Sequence, residues 1–238
     1  LTGWRKAGGV GRGRSRRNGV TMSGASSTSS SGSAIASSTG SATAAARTAF
    51  ASRVDALTFE FGFIPTAALD LIERLRPIHP NRRALAISQD RLQEKAFLNG
   101  IGLSTAPWAA VEDMASLEVA LATIGTPSIL KTTRLGYDGK GQARIKAAED
   151  APAALAAMAG APAVLEGFVG FSCEISVIAA RGLDGSVSCF DPGENVHRDG
   201  ILHTTTVPAR VSPALRSDAV LIAAQILNAL DYVGVLGG

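Results

Sequence analysis

Cysteine, histidine and tryptophan are scarce in this chain, which has only two, three and two of them among 238 residues. Cys173 and Cys189 lie sixteen positions apart with no histidine at ligand spacing. That excludes the common zinc patterns and a disulfide framework, so two reduced, structural thiols in a cytosolic protein are expected. No run of about 18 apolar residues occurs, and hence no membrane-spanning helix is expected. The longest apolar stretch, Ala219 to Leu227, is interrupted by Gln225 and reads as a buried helix. A hydrophobic content of 46% with 5% aromatics suits an α/β protein of one large or two small domains.

Acidic residues are missing from the first 54 positions, which instead carry eight Lys or Arg: Arg5, Lys6, Arg12, Arg14, Arg16, Arg17, Arg47 and Arg53. The remainder holds 15 basic and 20 acidic residues, a net charge of −5. The overall pI near 9.1 is therefore a property of the leader and does not argue for nucleic-acid binding. Residues 1–44 are built mainly from Gly, Arg, Ser, Ala and Thr without an apolar period, so they are expected to be disordered or unpacked. Such a leader fits a transit peptide, a basic tail, or out-of-frame translation of GC-rich DNA. The third is the expected one, because the leader runs straight into the middle of a domain.

From Val54 the texture changes. Strands are predicted over 54–61, 128–132, 142–146, 164–169, 174–180, 201–207 and 232–236. Helices are predicted over 67–75, 91–99 behind the capping residue Asp90, 117–124 up to Gly125, 148–159 and 213–230. The last helix opens on Pro213 and is expected to bury Leu215, Ala219, Ile222, Ile226 and Leu230. Asp184-Gly185 predicts a type I′ hairpin joining Arg181 to Val187.

The sharpest feature is Ile129-Leu130-Lys131 followed by Gly136-Tyr137-Asp138-Gly139-Lys140-Gly141-Gln142. A strand delivers a lysine, and a glycine-rich loop then turns the chain into the next strand. Glycines 136, 139 and 141 let successive N–H groups converge on anionic oxygens, with Lys131 and Lys140 on either side. Neither the P-loop pattern nor the dinucleotide fingerprint is present. The alternative is a surface turn with two solvated lysines. Glu166-Gly167-Phe168-Val169 ends a strand eight residues before Glu174. These residues could face a purine and its ribose, or be two exposed strand carboxylates. Glu194-Asn195-Val196-His197-Arg198-Asp199-Gly200 is a polar loop whose histidine is either a site residue or solvated.

These blocks, with Gln89-Asp90-Arg91-Leu92-Gln93-Glu94-Lys95 before them and Asp231-Tyr232-Val233-Gly234-Val235-Leu236 after, resemble the 5-(carboxyamino)imidazole ribonucleotide synthases from about residue 45 to 236. These are ATP-grasp ligases of purine biosynthesis. The resemblance implies an α/β chain with an ATP-grasp fold of two α+β subdomains over 81–238. Residues 45–80 would be the remnant of a Rossmann-like N-terminal domain. It implies ATP and Mg2+, with bicarbonate and 5-aminoimidazole ribonucleotide as substrates, a cytoplasmic homodimer, and no nucleic-acid or membrane partner. Arg91, Lys131 and the loop Gly136, Tyr137, Asp138, Gly139, Lys140, Gly141 and Gln142 would hold the nucleotide phosphates. Glu166, Gly167, Phe168 and Val169 would form the adenine hinge, and Glu174 and His197 the rest of the nucleoside pocket. Tyr137, Asp138, Lys140 and Glu60 would lie toward bicarbonate and the acceptor. The rival readings are another ATP-grasp carboxylate–amine ligase and a non-catalytic nucleotide-binding module.

The chain departs from the family's pattern in three places. Residues 1–44 lack the glycine-rich start of the N-terminal domain, Gly62-Phe63 replaces Glu-Asn, and the magnesium-binding Asn-Glu has no counterpart before Gly238. The chain is accordingly expected to be an inactive fragment without metal ligands of its own. With six basic residues before position 20, brief trypsin treatment should trim the leader and spare the remainder, a pattern read directly by mass spectrometry. A resistant leader would contradict this reading.

Overall fold

The computed structural model describes residues 21–22, 40–59, 62, 64–134, 141–198 and 201–237. Its first part holds strand β1 (Thr21–Met22), helix α1 (Gly40–Ala51), β2 (Thr58–Phe59), α2 (Asp70–Glu73) and α3 (Arg82–Ser88). Next come α4 (Arg91–Gly100), β3 (Trp108–Val111), α5 (Met114–Ile124), β4 (Ser128–Thr132), β5 (Gln142–Ile145), α6 (Ala151–Ala156) and β6 (Ala163–Gly167). The last part is β7 (Glu174–Ser176), β8 (Ile178–Arg181), β9 (Val187–Cys189), β10 (Gly193–Arg198), β11 (Ile201–Thr206), α7 (Pro213–Ala229) and β12 (Gly234–Gly237).

The element that organises the middle of the chain is an antiparallel sheet of four strands, ordered β3-β6-β4-β5. Side chains alternate across a sheet, so its two faces can be read from the pairing. Leu130 and Leu165 are cross-strand partners on one face, with Val111, Ala163 and Ile145 beside them. This face closes on Leu117 and Ala120 of α5 and on Ala151 and Ala154 of α6, forming one core. On the opposite face the register aligns Trp108, Ile129, Lys131, Gln142, Arg144, Val164 and Glu166. The apolar face fixes the sheet, and the other face is left to carry chemistry.

Helix α5 begins at Met114, three residues before its first expected member, because Asp113 and Ser116 form a capping box. The Ser116 amide donates to Asp113 Oδ1 at 2.8 Å, and the Asp113 amide donates to Ser116 Oγ at 3.0 Å. Gly125, at φ +84°, ends the helix.

Two further three-stranded sheets follow, ordered β11-β10-β7 and β12-β8-β9. Val177, Ala179 and Leu236 pack against Ala223, Ile226, Leu227 and Leu230 of α7 and its C-terminal end. A separate core joins Ala51, Val54, Leu57, Phe59, Leu69, Ile72 and Leu85. Helix α3 serves both: Leu85 lies in this core and its neighbour Ala84 in the α7 core. Asn81 caps α3 through Ala84 N at 2.9 Å and donates its own amide to Leu230 O at 2.7 Å. Arg83 Nη1 donates to Ala229 O at 3.2 Å, so α3 also closes the C-terminus of α7.

Several expectations need correction. Within 1–44, Thr21–Met22 pairs in parallel with Thr58–Phe59, and α1 already begins at Gly40. The strand expected over 174–180 is two strands in different sheets, because β7 pairs with β10 while β8 pairs with β9 and β12. The helix over 148–159 opens as a 3-10 turn and stops at Ala156; Ala159 at φ +51° and Gly160 at φ +78° turn the chain away. The 67–75 segment likewise splits into a 3-10 turn and the one-turn α2. Of the α7 face expected to be buried, Ala219, Ile222, Ile226 and Leu230 lie in or against the core, whereas Leu215 in the first turn is 43% exposed. The hairpin at Asp184-Gly185 exists, but Gly185 alone has a positive φ, +80°. Gly185 N donates to Gly182 O at 3.1 Å, giving a longer loop than the type I′ turn, which needs two positive φ values.

Leu117 is fully buried and Val119, two residues on, is 69% exposed. Leu117→Ala should therefore cost about 3 kcal/mol of stability and Val119→Ala under about 0.5, as read by urea denaturation. The Ser116 amide and hydroxyl hold Asp113 below its ordinary pKa of 3.8. A depressed folded pKa stabilises above the unfolded value and stops doing so as pH falls through the folded one. Asp113→Asn should consequently show a shallower fall in Tm below about pH 4 than the parent does.

Candidate functional site

The polar face of the four-stranded sheet carries the first group of site residues. Lys131 pairs with Val164, and Glu166 pairs with Ile129, which places Lys131 and Glu166 diagonally on one face. Lys131 Nζ donates to Glu166 Oε2 at 3.0 Å. Lys95 of α4 reaches the same carboxylate, with Nζ 3.4 Å from Oε1. Glu166 is only 4% exposed, so it is not one of two exposed strand carboxylates. Buried ions need partners, and here each carboxylate oxygen has a cation.

Helix α4 is tied to the end of β4 by its first turn. The Arg91 amide donates to Thr133 O at 2.9 Å, and Arg91 Nη1 donates to Thr132 O at 2.8 Å. Asp90 caps the helix through Leu92 N and Gln93 N, and its other oxygen lies 3.2 Å from Arg134 Nε. Arg91 and Lys131 are thus brought together where the chain enters the glycine-rich loop. That loop returns at Gly141, whose carbonyl accepts from Thr132 N at 2.8 Å. Gly141 has φ +68°, and a Cβ there would sit 2.8 Å from Thr132 Oγ1, so a glycine is required. Gln142 follows, opposite Lys131.

At the far end of β6, Gly167 N donates to Pro107 O at 2.9 Å and Phe168 N donates to Pro127 O at 3.0 Å. These bonds leave Phe168 and Val169 with 46% and 44% exposure. The Arg144 guanidinium lies over the Phe168 ring, 5.5 Å from its centre.

The second group lies on the β11-β10-β7 sheet. Glu174 and Asn195 are cross-strand partners, and Asn195 Nδ2 donates to Glu174 Oε1 at 3.3 Å. His197 Nδ1 is 3.5 Å from the same oxygen. Asn195 Oδ1 accepts from Thr205 Oγ1 at 2.8 Å and Ser176 Oγ at 3.3 Å. Glu174 and His197, which are 23 residues apart in sequence, are therefore neighbours. Glu60, Gly136, Tyr137, Asp138, Gly139 and Lys140 lie outside the described residues.

Two residues were not singled out by sequence reasoning. Lys95 stands one helical turn after Arg91, an i, i+4 spacing that signals a shared face. Asn195 was visible only as part of a polar stretch, and its role needs the β7–β10 pairing. Among the described residues, no group of three His, Cys, Asp or Glu side chains could hold a metal ion. No helix among them is long and apolar enough to cross a membrane.

A buried lysine–carboxylate site lies beside Gly141, and a carboxylate–histidine pair lies on a second sheet. Comparison with known proteins identifies the family. The family model for the ATP-grasp domain matches residues 96–238. The chain belongs to the ATP-grasp family. It is 50% identical over 194 residues to the N5-carboxyaminoimidazole ribonucleotide synthase of Brucella melitensis, covering 81% of this chain and 54% of that one. It is similar to the solved N5-carboxyaminoimidazole ribonucleotide synthetase of Thermus thermophilus, with TM-score 0.75 and 40% identity over 81% of this chain and 52% of that one. It is also similar to the Aspergillus clavatus synthase solved with ADP and 5-aminoimidazole ribonucleotide, with TM-score 0.74 and 27% identity over 82% and 51% of the two chains. The chain spans about half the length of the curated relatives it matches.

The close approach at Gly141 yields a direct test. Gly141→Ala should lower stability by about 1–2 kcal/mol from the left-handed backbone alone, with a further loss from the Thr132 contact. Adding Thr132→Ala should recover the second part only, so that a thermal-melt double-mutant cycle is clearly non-additive. An additive cycle would show that the two residues are not in contact.

Proposed function

We propose that this chain carries the nucleotide-binding part of an N5-carboxyaminoimidazole ribonucleotide synthase. The whole enzyme would use ATP and bicarbonate to carboxylate the exocyclic amine of 5-aminoimidazole ribonucleotide. The observation that carries the reading is the ion pair of Lys131 with Glu166 on a strand whose Thr132–Thr133 end is held by Arg91 and Gly141, in a chain 50% identical to a named synthase. In this reading residues 45–80 are the end of a Rossmann-like N-terminal domain and 81–238 the ATP-grasp domain. The working protein is a cytoplasmic homodimer, which sedimentation of the complete protein checks.

A bicarbonate oxygen attacks the γ-phosphorus and ADP leaves, forming carboxyphosphate. The amine of 5-aminoimidazole ribonucleotide then attacks its carbonyl carbon and phosphate departs. Such transfers depend on positioning and on charge placed around the phosphoryl oxygens. Lys131 and Arg91 supply positive charge from rigid elements, and the amides around Gly141 supply donors. Glu174, oriented by Asn195 and His197, accepts from the ribose hydroxyls. Phe168 and Val169 offer apolar surface to the adenine. Tyr137, Asp138, Lys140 and Glu60 would act toward bicarbonate and the acceptor. The described residues do not form a magnesium site.

Lys131→Ala should weaken ATP binding to this chain by roughly 1.5–3 kcal/mol, the scale of a charge-assisted hydrogen bond, as read by calorimetry. Glu174→Gln should weaken ATP and ADP alike, since it acts at the nucleoside end. In the complete protein, phosphate release should require both bicarbonate and 5-aminoimidazole ribonucleotide. ATP binding without turnover on that pair would point to a different carboxylate–amine ligase, and no ATP binding would remove the reading altogether.

A further inference from the structure

The carboxylate of Glu166 holds two ammonium groups, one on each oxygen. Oε2 meets Lys131 Nζ at 3.0 Å and Oε1 meets Lys95 Nζ at 3.4 Å. The side chains are 5%, 16% and 9% exposed for Glu166, Lys131 and Lys95, so the cluster is largely withdrawn from water. Lysine is almost never buried without a strong reason, and among the described residues two of them against one acid leave an uncancelled positive charge. A plain structural ion pair would need only one.

Consider the site without Lys95. Glu166 and Lys131 would then neutralise each other, and an anion approaching Lys131 would have to compete with a buried carboxylate that has nowhere else to turn. With Lys95 in place the carboxylate keeps a partner on its own separate oxygen. Lys131 can turn toward a second anion without leaving Glu166 bare. The geometry allows this because Lys95 comes from α4 and Lys131 from β4, so moving one does not displace the other. Helix α4 is held in register by Arg91 on Thr132 O and Thr133 O, which fixes where Lys95 emerges one turn later.

We propose that Lys95 is a positioning residue of the nucleotide site: it holds and neutralises Glu166, and thereby frees the charge of Lys131 for the polyphosphate of the nucleotide. This rests on the nucleotide reading above and extends it to a residue outside the loop and hinge.

The test is calorimetric titration of this chain with ATP and, separately, with adenosine, which lacks the phosphates. Lys95→Met should lose about 30-fold in ATP affinity and under about threefold in adenosine affinity, because only the phosphate end depends on the freed charge. Lys95→Arg, which keeps the charge, should stay within about fivefold of the parent for ATP. Lys95→Met combined with Glu166→Gln should bind ATP within about fivefold of Glu166→Gln alone, since without the carboxylate nothing remains to be neutralised. Melting curves accompany each variant. If Lys95→Met does not fold, the neutral double variant and Lys95→Arg decide the matter. Equal losses for ATP and adenosine, or additive losses in the double variant, would make Lys95 a scaffold residue and overturn the proposal. A parent that binds no ATP removes the nucleotide reading itself, whereas a parent that binds with Lys95→Met unchanged removes only the role of Lys95.

Discussion

A carboxylate placed on an interior strand cannot be left alone, and the polar face of the central sheet is arranged around that constraint. Glu166 stands between Trp108 and Ile129 on the ladder, away from water. Its charge must be met by side chains from other elements, which dictates both the diagonal position of Lys131 and the approach of α4 with Lys95. The anchoring of α4 on Thr132 O and Thr133 O follows from the same need, because a helix that slid by one residue would carry Lys95 away from the carboxylate. Stability and, on the proposed reading, nucleotide binding thus draw on one set of contacts. The opposite face, with Leu130 and Leu165 against α5 and α6, supplies the rigidity that holds the ions in place.

The second cluster is built differently. Glu174, Asn195 and His197 are half-buried on a small antiparallel sheet whose outer strand, β11, is exposed along its whole length. Orientation there comes from a relay of hydroxyl and amide groups, Thr205 and Ser176 onto Asn195 and Asn195 onto Glu174. Such a relay fixes the direction of an acceptor without burying it. On the proposed nucleotide reading, this suits a group open to sugar hydroxyls, while the deeply set lysines suit one that meets concentrated negative charge.

Much of this was legible in the sequence where one local rule dominated. Asp90 capped α4 as expected, Gly125 ended α5, and Ser128–Thr132 was a strand to the residue. The grouping of Lys131, Arg91 and Gly141 followed from the strand–glycine–strand pattern and the family resemblance. What failed did so where partners far along the chain decide. Nothing local in Glu174–Ala180 says that β7 and β8 choose different sheets, and the periodicity of α7 cannot tell that Leu215 is left exposed. The engagement of Glu166 by two lysines was equally out of reach. One contact is a cross-strand diagonal between residues 35 apart in the chain, and the other needs a helix that precedes both strands. The hairpin was anticipated, but Asp184 keeps an ordinary φ and the turn is longer than the dipeptide suggests.

Helix α3 is only seven residues long, yet adjacent side chains, Ala84 and Leu85, point into different cores. Asn81 and Arg83 at its start also close the last carbonyls of α7. So short a rod, fastened on two sides and at one end, behaves as a rivet and not as a hinge. The early unit and the α7 layer are mechanically one piece, so heat should melt them in a single cooperative step, and any bending of the chain must occur at some other place.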